Sequence, residues 1–507
     1  MLAYVLKRLL VLPITVIGVT LLVFVLVAAS PGGLSGDEEP SGEMQAYIED
    51  RYGLDDPVLV QYGRWLARVS PIVLGEPGKL DRDGRVIRVP RAVRPPEAWR
   101  LYADSLPEVE EAGESDAADG AKALDPVRVR EQAFRDALRA HEAARVLYFR
   151  ARQELLGALR EMARAAKVAD DPADGEWSAL VSVASTLRGP ERERVDTLGR
   201  RALAAYVEAE RSRRVMARAL DAAPLEREGA TLVPGVLSLR WPDLGDSLSQ
   251  RRPVSELIGA ALPTTLLLNL AAIPLTYLLA VPGGVLSAVR RGTWIDAGTS
   301  VLFTALWSVP TAWAAVMAVG FLSGAPPRGL GWFPVTGLHA REAADMAFLP
   351  RIESGVLERG YLLDTLWHMV LPVLCLAYGS LAVLARQARS ATLENLRADH
   401  VRTARAKGCD PPSVLWRHVL RPGLLPMITL FVGVFPAMLS GSVIVERAFG
   451  IPGMGSLVVD SFLRRDAEVL LASTTMIAVV NVLALLLGDV LYAMADPRVR
   501  AGEGRAT

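Results

Sequence analysis

Cysteine and histidine are scarce in this chain: it has two of the first and five of the second among 507 residues. Cys375 falls in an apolar stretch and Cys409 in a basic one, so no disulfide is expected, and two thiols make no metal cluster. His141, His339, His368, His400 and His418 are scattered over separate segments, which argues against a ligand set. The G-x-x-x-x-G-K-[ST] phosphate loop is missing. Pro282-Gly283-Gly284 has no lysine behind it, so the chain is expected to bind no ATP itself. No nucleophile triad appears, and the chain reads as a non-enzyme. Net charge is lacking too, since 56 basic and 56 acidic side chains cancel. The total therefore says nothing about partners, and nothing points to nucleic acid; only the distribution of charge is informative.

That distribution is sharply segregated. The chain is 51% hydrophobic and 22% charged, too charged to be membrane throughout and too apolar to be soluble throughout. Six apolar stretches stand out, at 9–29, about 262–288, 299–322, 366–384, 424–445 and 469–493. Each approaches the roughly 20 residues that cross a hydrocarbon layer of about 30 Å. The first is longer than the apolar part of a signal peptide and reads as a retained helix. Basic residues flank the stretches on one side only: Lys7 and Arg8, Arg290 and Arg291, the block from Arg386 to Arg421, then Arg498 and Arg500. Positive residues resist translocation, so these clusters and both termini are expected in the cytoplasm.

Residues 30–255 are too long for a connection and fall on the outer side. Residues 41–69 read as a helix, a turn at Gly53-Leu54-Asp55-Asp56-Pro57, and a second helix. Residues 76–125 are rich in proline, glycine and acids. From 126 to 166, Val129, Phe134, Leu138, Ala144, Tyr148, Leu155, Leu159 and Met162 recur at helical spacing. Asp170-Asp171-Pro172 breaks the pattern, and a second helix is expected at 190–222. The pair predicts an antiparallel hairpin, a solvated stalk or a docking platform, with its apolar stripe closed on itself.

The segment 401-VRTARAKGCDPPSVLWRHVLRPGLLPMITL-430 carries Arg402, Arg405, Lys407, Arg417 and Arg421. A short helical piece ends at Gly408, where a residue without Cβ permits a sharp turn. Pro411 and Pro412 stop the helix and suit the first turn of a new one. A second amphipathic piece runs to Arg421, and Leu425-Pro426 opens the next span. The result is a basic two-helix knob between apolar spans. Its arginines either pair with carboxylates of a partner or face lipid headgroups. In or near the spans, Asn269, Thr276, Tyr277, Asn481 and Asp489 are the polar candidates. Pro274, Pro282, Pro310, Pro372 and Pro436 predict kinks. No substrate ligand is assigned.

The knob resembles the EAA loop of ABC-importer permeases, and five further stretches resemble the dipeptide/oligopeptide/nickel branch of that family. They are 1-MLAYVLKRLLVLPITVIGVTLLVFVLVAASPGG-33; Tyr52-Gly53-Leu54-Asp55 to Gln61-Tyr62; Trp241-Pro242-Asp243-Leu244-Gly245-Asp246-Ser247; Glu446-Arg447-Ala448-Phe449-Gly450-Ile451-Pro452-Gly453-Met454-Gly455; and Asp496-Pro497-Arg498-Val499-Arg500. The resemblance covers about residues 1–70 and 236–500. Arg402 stands where the general pattern has glutamate, and Pro411-Pro412 where it has helix-compatible polar residues. Residues 71–235 have no counterpart.

The resemblance, together with the apolar stretches and periodicities above, gives an all-α polytopic membrane protein of about six transmembrane helices, with three regions. Residues 1–70 hold the first span and outer helices; 71–235 an external helical insertion with its hairpin at 126–222; 236–507 a permease core of five spans with coupling loop 401–421. It implies the inner membrane of a bacterial cell, transport of peptides or a similar solute, and ATP used by partner subunits. The implied partners are a second permease, cytoplasmic ATP-binding subunits and an external solute-binding protein. The implied ATPase-coupling residues are Arg402, Thr403, Ala404, Arg405, Ala406, Lys407, Gly408, Leu425 and Pro426. An ion-driven secondary transporter is the alternative class, and predicts inverted repeats and midplane carboxylates, neither of which is seen. A membrane-anchored scaffold presenting the outer hairpin is another, and has no need of the knob.

Overall fold

The computed structural model describes residues 2–30, 48–49, 51–53, 56–74, 78–80, 86–109, 126–186, 189–233, 236–324, 329–353, 356–423, 427 and 442–495, with side chains from Pro13 onward except at 74, 126, 174, 231, 344, 352–358, 489 and 491–495. The chain forms two compact units, Met1–Ala29 with Leu244–Thr507, and Ser30–Asp243. In chain order the elements are α1 (Leu2–Ala28), α2 (Val58–Val69), β1 (Ile72–Leu74), β2 (Lys79–Leu80), β3 (Val86–Ile87), α3 (Pro126–Ala165), α4 (Asp174–Ala184), α5 (Pro190–Ala222), β4 (Ala230–Val233) and β5 (Leu237–Leu239). There follow α6 (Val254–Val289), α7 (Trp294–Ser308), α8 (Thr311–Met317), β6 (Arg351–Glu353), β7 (Val356–Glu358), α9 (Gly360–Leu396), α10 (Asp399–Ala406), α11 (Pro411–Ser413), α12 (Met454–Leu463) and α13 (Ala467–Ala495).

The first unit is a helical membrane bundle. α6, α9 and the part of α13 up to Gly488 are each long and apolar enough to cross a bilayer. With 36 residues α6 is about 54 Å long at 1.5 Å per residue, so it extends beyond the hydrocarbon layer. It stays helical through Pro263, Pro274 and Pro282, because neighbouring helices satisfy the freed carbonyls of a membrane helix. Leu270 and Leu278 on it are exposed, as side chains facing lipid must be. α1 packs on α13, and α6 packs most extensively on α9.

The third apolar stretch, 299–322, bends where a kink is expected: α7, and α8 with its π-helical extension to Ser323, meet at 91°. Pro310 is the cause. It forces Val309 into extended geometry and offers no N–H, and Val309 has ψ 121. The stranded carbonyl of Val309 accepts a hydrogen bond from the Tyr378 hydroxyl at 2.8 Å. The fifth stretch, 424–445, lies almost wholly outside the described residues.

The second unit is built on α3 and α5. Their pairs run in opposite directions along the two helices: Glu161 with Arg194 at 3.1 Å, Glu154 with Arg201 at 3.3 Å, His141 with Ser212 at 3.1 Å. The helices are therefore antiparallel. Their apolar faces do not close on themselves as the sequence suggests. Leu101 and Tyr102 share one core with Leu155, Leu159, Leu180 and Ala202. The Tyr102 ring lies so close to Gly199 that a Cβ there would meet it at 2.3 Å.

Two distant stretches of this unit are tied together. β1 pairs antiparallel with β5, Ile72 opposite Leu239, and β5 with β4. Arg240 N–H donates to the Pro71 carbonyl at 2.9 Å, and its guanidinium to the Arg68 carbonyl at 3.0 Å. The segment between Pro71 and Arg240 thus starts and ends at one place. Ahead of it in sequence, Asp56 pairs with Arg64 and Arg91, with Arg94 at 3.5 Å. Burial works against its charge, but the arginines win and hold its carboxyl below the ordinary range.

Candidate functional site: a basic knob and two buried carboxylates

α9 ends at Leu396 and α10 begins three residues later, so the knob grows directly from a bilayer-length helix. α10 stops by a Schellman arrangement. Gly408 sits at φ +78, its N–H donates to the Arg405 carbonyl at 3.0 Å, and Cys409 N–H donates to the Ala404 carbonyl at 3.2 Å. Asp410 then caps the next turn, accepting Ser413 N–H at 3.2 Å, with Pro411 at the first helical position. The helix continues in π form from Val414 to Leu420. Val401 and Ala404 from the first piece pack on Val414 and Val419 from the second, with Leu396 beside them.

Of the nine sequence candidates, Arg402 to Gly408 lie together in this knob. Arg402, Thr403, Arg405, Ala406, Lys407 and Gly408 are exposed, whereas Ala404 is buried in the seam and shapes the knob from inside. Leu425 and Pro426 lie outside the described residues. Arg402 pairs with Asp399, at 3.4 Å across two exposed side chains, a contact of little energetic weight. Trp416 is 70% exposed beside Arg417. The sequence reading passed over it, although a lone tryptophan among arginines is a signal of an interface.

Two buried carboxylates organise the membrane unit, and neither was singled out as functional from sequence. Asp296, in the first turn of α7, accepts Ser287 Oγ at 2.6 Å and Gly292 N–H at 3.0 Å. It also takes a two-pronged pair from Arg389, Nε to Oδ1 at 2.8 Å and Nη2 to Oδ2 at 3.0 Å. Glu446 accepts Thr265 Oγ1 at 2.7 Å and the N–H of Ser456 at 2.8 Å. Since Ser456 lies in the first turn of α12, an anion from another helix caps that N-terminus. Thr265 Oγ1 in turn accepts Met454 N–H at 2.8 Å. The motif from Glu446 to Gly455 thus has a physical reading. A Cβ on Gly453 would stand 2.4 Å from the Glu446 carboxyl carbon, so glycine is needed to seat the carboxylate.

Replacing Gly453 by alanine is expected to destabilise the detergent-solubilised protein by about 1–3 kcal/mol through overpacking. The backbone there has negative φ, so contact alone opposes the methyl. Gly259→Ala is the control: nothing lies within 4 Å of the added Cβ, and no loss should follow. Thermal unfolding of the two variants checks the difference.

The other polar candidates serve their own surroundings. Asn269 Nδ2 donates to the Thr265 carbonyl and Thr276 Oγ1 to the Ala272 carbonyl, both at 2.8 Å; the Tyr277 hydroxyl reaches the Met427 carbonyl at 2.9 Å. The side chain of Asp489 lies outside the described residues. Both cysteines are free thiols. Among the described residues no three His, Cys, Asp or Glu side chains converge as metal ligands.

A polytopic helical membrane protein with a two-helix basic knob between spans defines a transport permease. The model for the binding-protein-dependent transport system inner membrane component matches residues 280–501. The oligopeptide transport system permease protein AppB of Bacillus subtilis is 40% identical over 282 residues, covering 54% of this chain and 83% of that protein. The dipeptide transport system permease protein DppB of Escherichia coli is 33% identical over 270 residues, covering 51% of this chain and 77% of its own length. The chain belongs to this family: it is an inner-membrane permease of the ABC-importer type. One solved chain of the inward-facing MetNI methionine ABC transporter covers 48% of this chain at 17% identity, with a TM-score of 0.36, too slight a likeness to argue from.

Proposed function

We propose that this chain is one permease subunit of an ATP-driven importer of peptides. A second permease, cytoplasmic ATP-binding subunits and an external binding protein complete it. The observation that carries this reading is the knob: a compact, capped helix–turn–helix whose seam is sealed and whose outer face is basic. The curated relatives, named as oligopeptide and dipeptide transport permeases, supply the solute class. ATP binding closes the partner subunits, residues 399–421 move with them as a rigid body, and the spans switch between outward and inward openings. The chain hydrolyses no ATP itself; it has no phosphate loop. The one-sided basic clusters support a topology with both termini and the knob in the cytoplasm and residues 30–243 outside.

Purification of the tagged chain from the membranes of its native cells is expected to co-isolate an ATP-binding subunit. A permease recovered in mild detergent without any ATPase activity overturns the reading. Topology is tested in a background lacking Cys375 and Cys409. Arg150→Cys, exposed on α3, should react with an impermeant thiol reagent in intact cells, and Asp410→Cys should not. The reverse pattern inverts the topology.

A further inference from the structure

Arg389 lies on α9 seven residues before the helix ends at Leu396, about 10 Å at 1.5 Å per residue. Leu396 is already part of the knob's apolar seam. The same arginine closes on Asp296 through both oxygens, and its Nε reaches Ser287 Oγ at 3.1 Å. Ser287 belongs to the last turns of α6, Gly292 to the turn, and Asp296 to the start of α7, so a single carboxylate binds three segments to α9. Asp296 is 7% exposed. A two-pronged guanidinium–carboxylate contact fixes angle as well as distance, which a lysine cannot do.

A second observation stands beside the first. α6 and α9 cross at Gly284 so closely that a Cβ there would lie 2.3 Å from the Ala385 carbonyl oxygen and 2.9 Å from Arg389 N. Ala280 on α6 packs on Leu384, Ala385 and Ala388 of α9 in the same core. The backbone contact prevents α6 and α9 from approaching further; the ion pair holds α7 to α9, with Ser287 of α6 bonded to both of its members. Neither is needed merely to keep apolar helices in a bilayer.

We infer that Asp296 and Arg389 are positioning residues that make α6, α7 and α9 one lever, so that a displacement of the knob reaches the spans undiminished. This rests on the proposed coupling to ATP-binding subunits. It makes a specific claim about motion: the distance from the knob to α7 stays constant through the ATP cycle, because both ends belong to one rigid piece.

Spin labels at Val301→Cys on α7 and Pro412→Cys on the knob, both exposed, in the assembled transporter lacking Cys375 and Cys409, test the claim. With the native pair, the 301–412 distance distribution is expected to keep one position in the nucleotide-free and the vanadate-trapped complex. In Asp296→Asn it should shift or broaden on trapping, while ATP hydrolysis per complex continues. A shift with the native pair overturns the lever, as does an unmoved distribution in the variant. Should Asp296→Asn fail to assemble, Arg389→Lys decides, since it keeps the charge and loses the second prong: the trapping shift supports the inference and its absence refutes it. A native complex that neither hydrolyses ATP nor traps nucleotide refutes the coupling reading itself, a distinct result.

Discussion

Gly408→Asp is expected to abolish solute uptake while the permease still inserts and assembles. The position has φ +78, the region where a Cβ costs roughly 1–2 kcal/mol. Nothing lies within 4 Å of the added Cβ, so crowding is not the mechanism. Backbone strain and charge are. Aspartate tolerates this backbone better than most residues, and the charge then decides: it places an anion on the face formed by Arg402, Arg405 and Lys407. Gly408→Asn separates the two effects, being similar in shape and in backbone tolerance but neutral, and should retain most of the uptake. Gly408→Val, β-branched, should fail through the backbone alone. Uptake and solute-stimulated ATPase activity, normalised to assembled complex, are the measurements. Normal values for Gly408→Asp would remove the knob from the coupling path.

The second large effect concerns the Ser30–Asp243 unit. Excised as one piece, it is expected to be soluble, helical by circular dichroism and cooperative on melting. The shorter piece 126–222 should be markedly less stable. Its core is incomplete without Leu101 and Tyr102, which pack on Leu155, Leu159 and Ala202. Other ties are lost with them: Lys79 Nζ donates to the carbonyls of Leu220 and Ala223, both at 2.8 Å, at the end of α5. Arg152 grips Glu97, with Nε to Oε1 at 2.9 Å. Burying a large side chain contributes about 1.5–3 kcal/mol, so losing Leu101, Tyr102 and their neighbours takes a sizeable share of a typical domain's stability of about 5–15 kcal/mol. Equal melting temperatures for the two fragments would show that the hairpin is self-sufficient after all. The whole permease with 126–222 replaced by a Gly/Ser linker should still be recovered folded from membranes, since the bundle has its own core.

The knob was legible because each of its signals is local. A glycine that closes a helix, an aspartate before two prolines and arginines on one face are all read within about 20 residues. The apolar spans were legible for the same reason: about 20 apolar residues in a row are visible wherever they occur. The kink expected at Pro310 is present, but its angle of 91° was not legible. Composition measures apolarity over a window, whereas the bend is set by one residue's missing N–H and fixed ring. The hairpin's periodicity revealed α3 and α5, but a period shows only which face is apolar, not what covers it. That cover is the segment around Leu101, ahead of both helices in sequence, together with Trp177 and Leu180 of α4 between them.

Sequence alone determined the class: the order of the apolar stretches, the segregation of charge between them, the knob with its turn chemistry, and the long segment between the first two stretches. Tertiary structure decided the partners of the buried charges. Asp296 and Arg389 are 93 residues apart, and Thr265 and Glu446 are 181 apart. Nothing near either carboxylate marks it as buried, because desolvation depends on helices that meet only after the chain has folded. A buried charge must find its donors or cost several kcal/mol, and here those donors come from other helices and from the exposed N–H groups of a helix start. The same holds for Gly284 and Gly453: each is an unremarkable glycine in the sequence, and only the close approach of a second backbone or a carboxylate makes the missing Cβ essential.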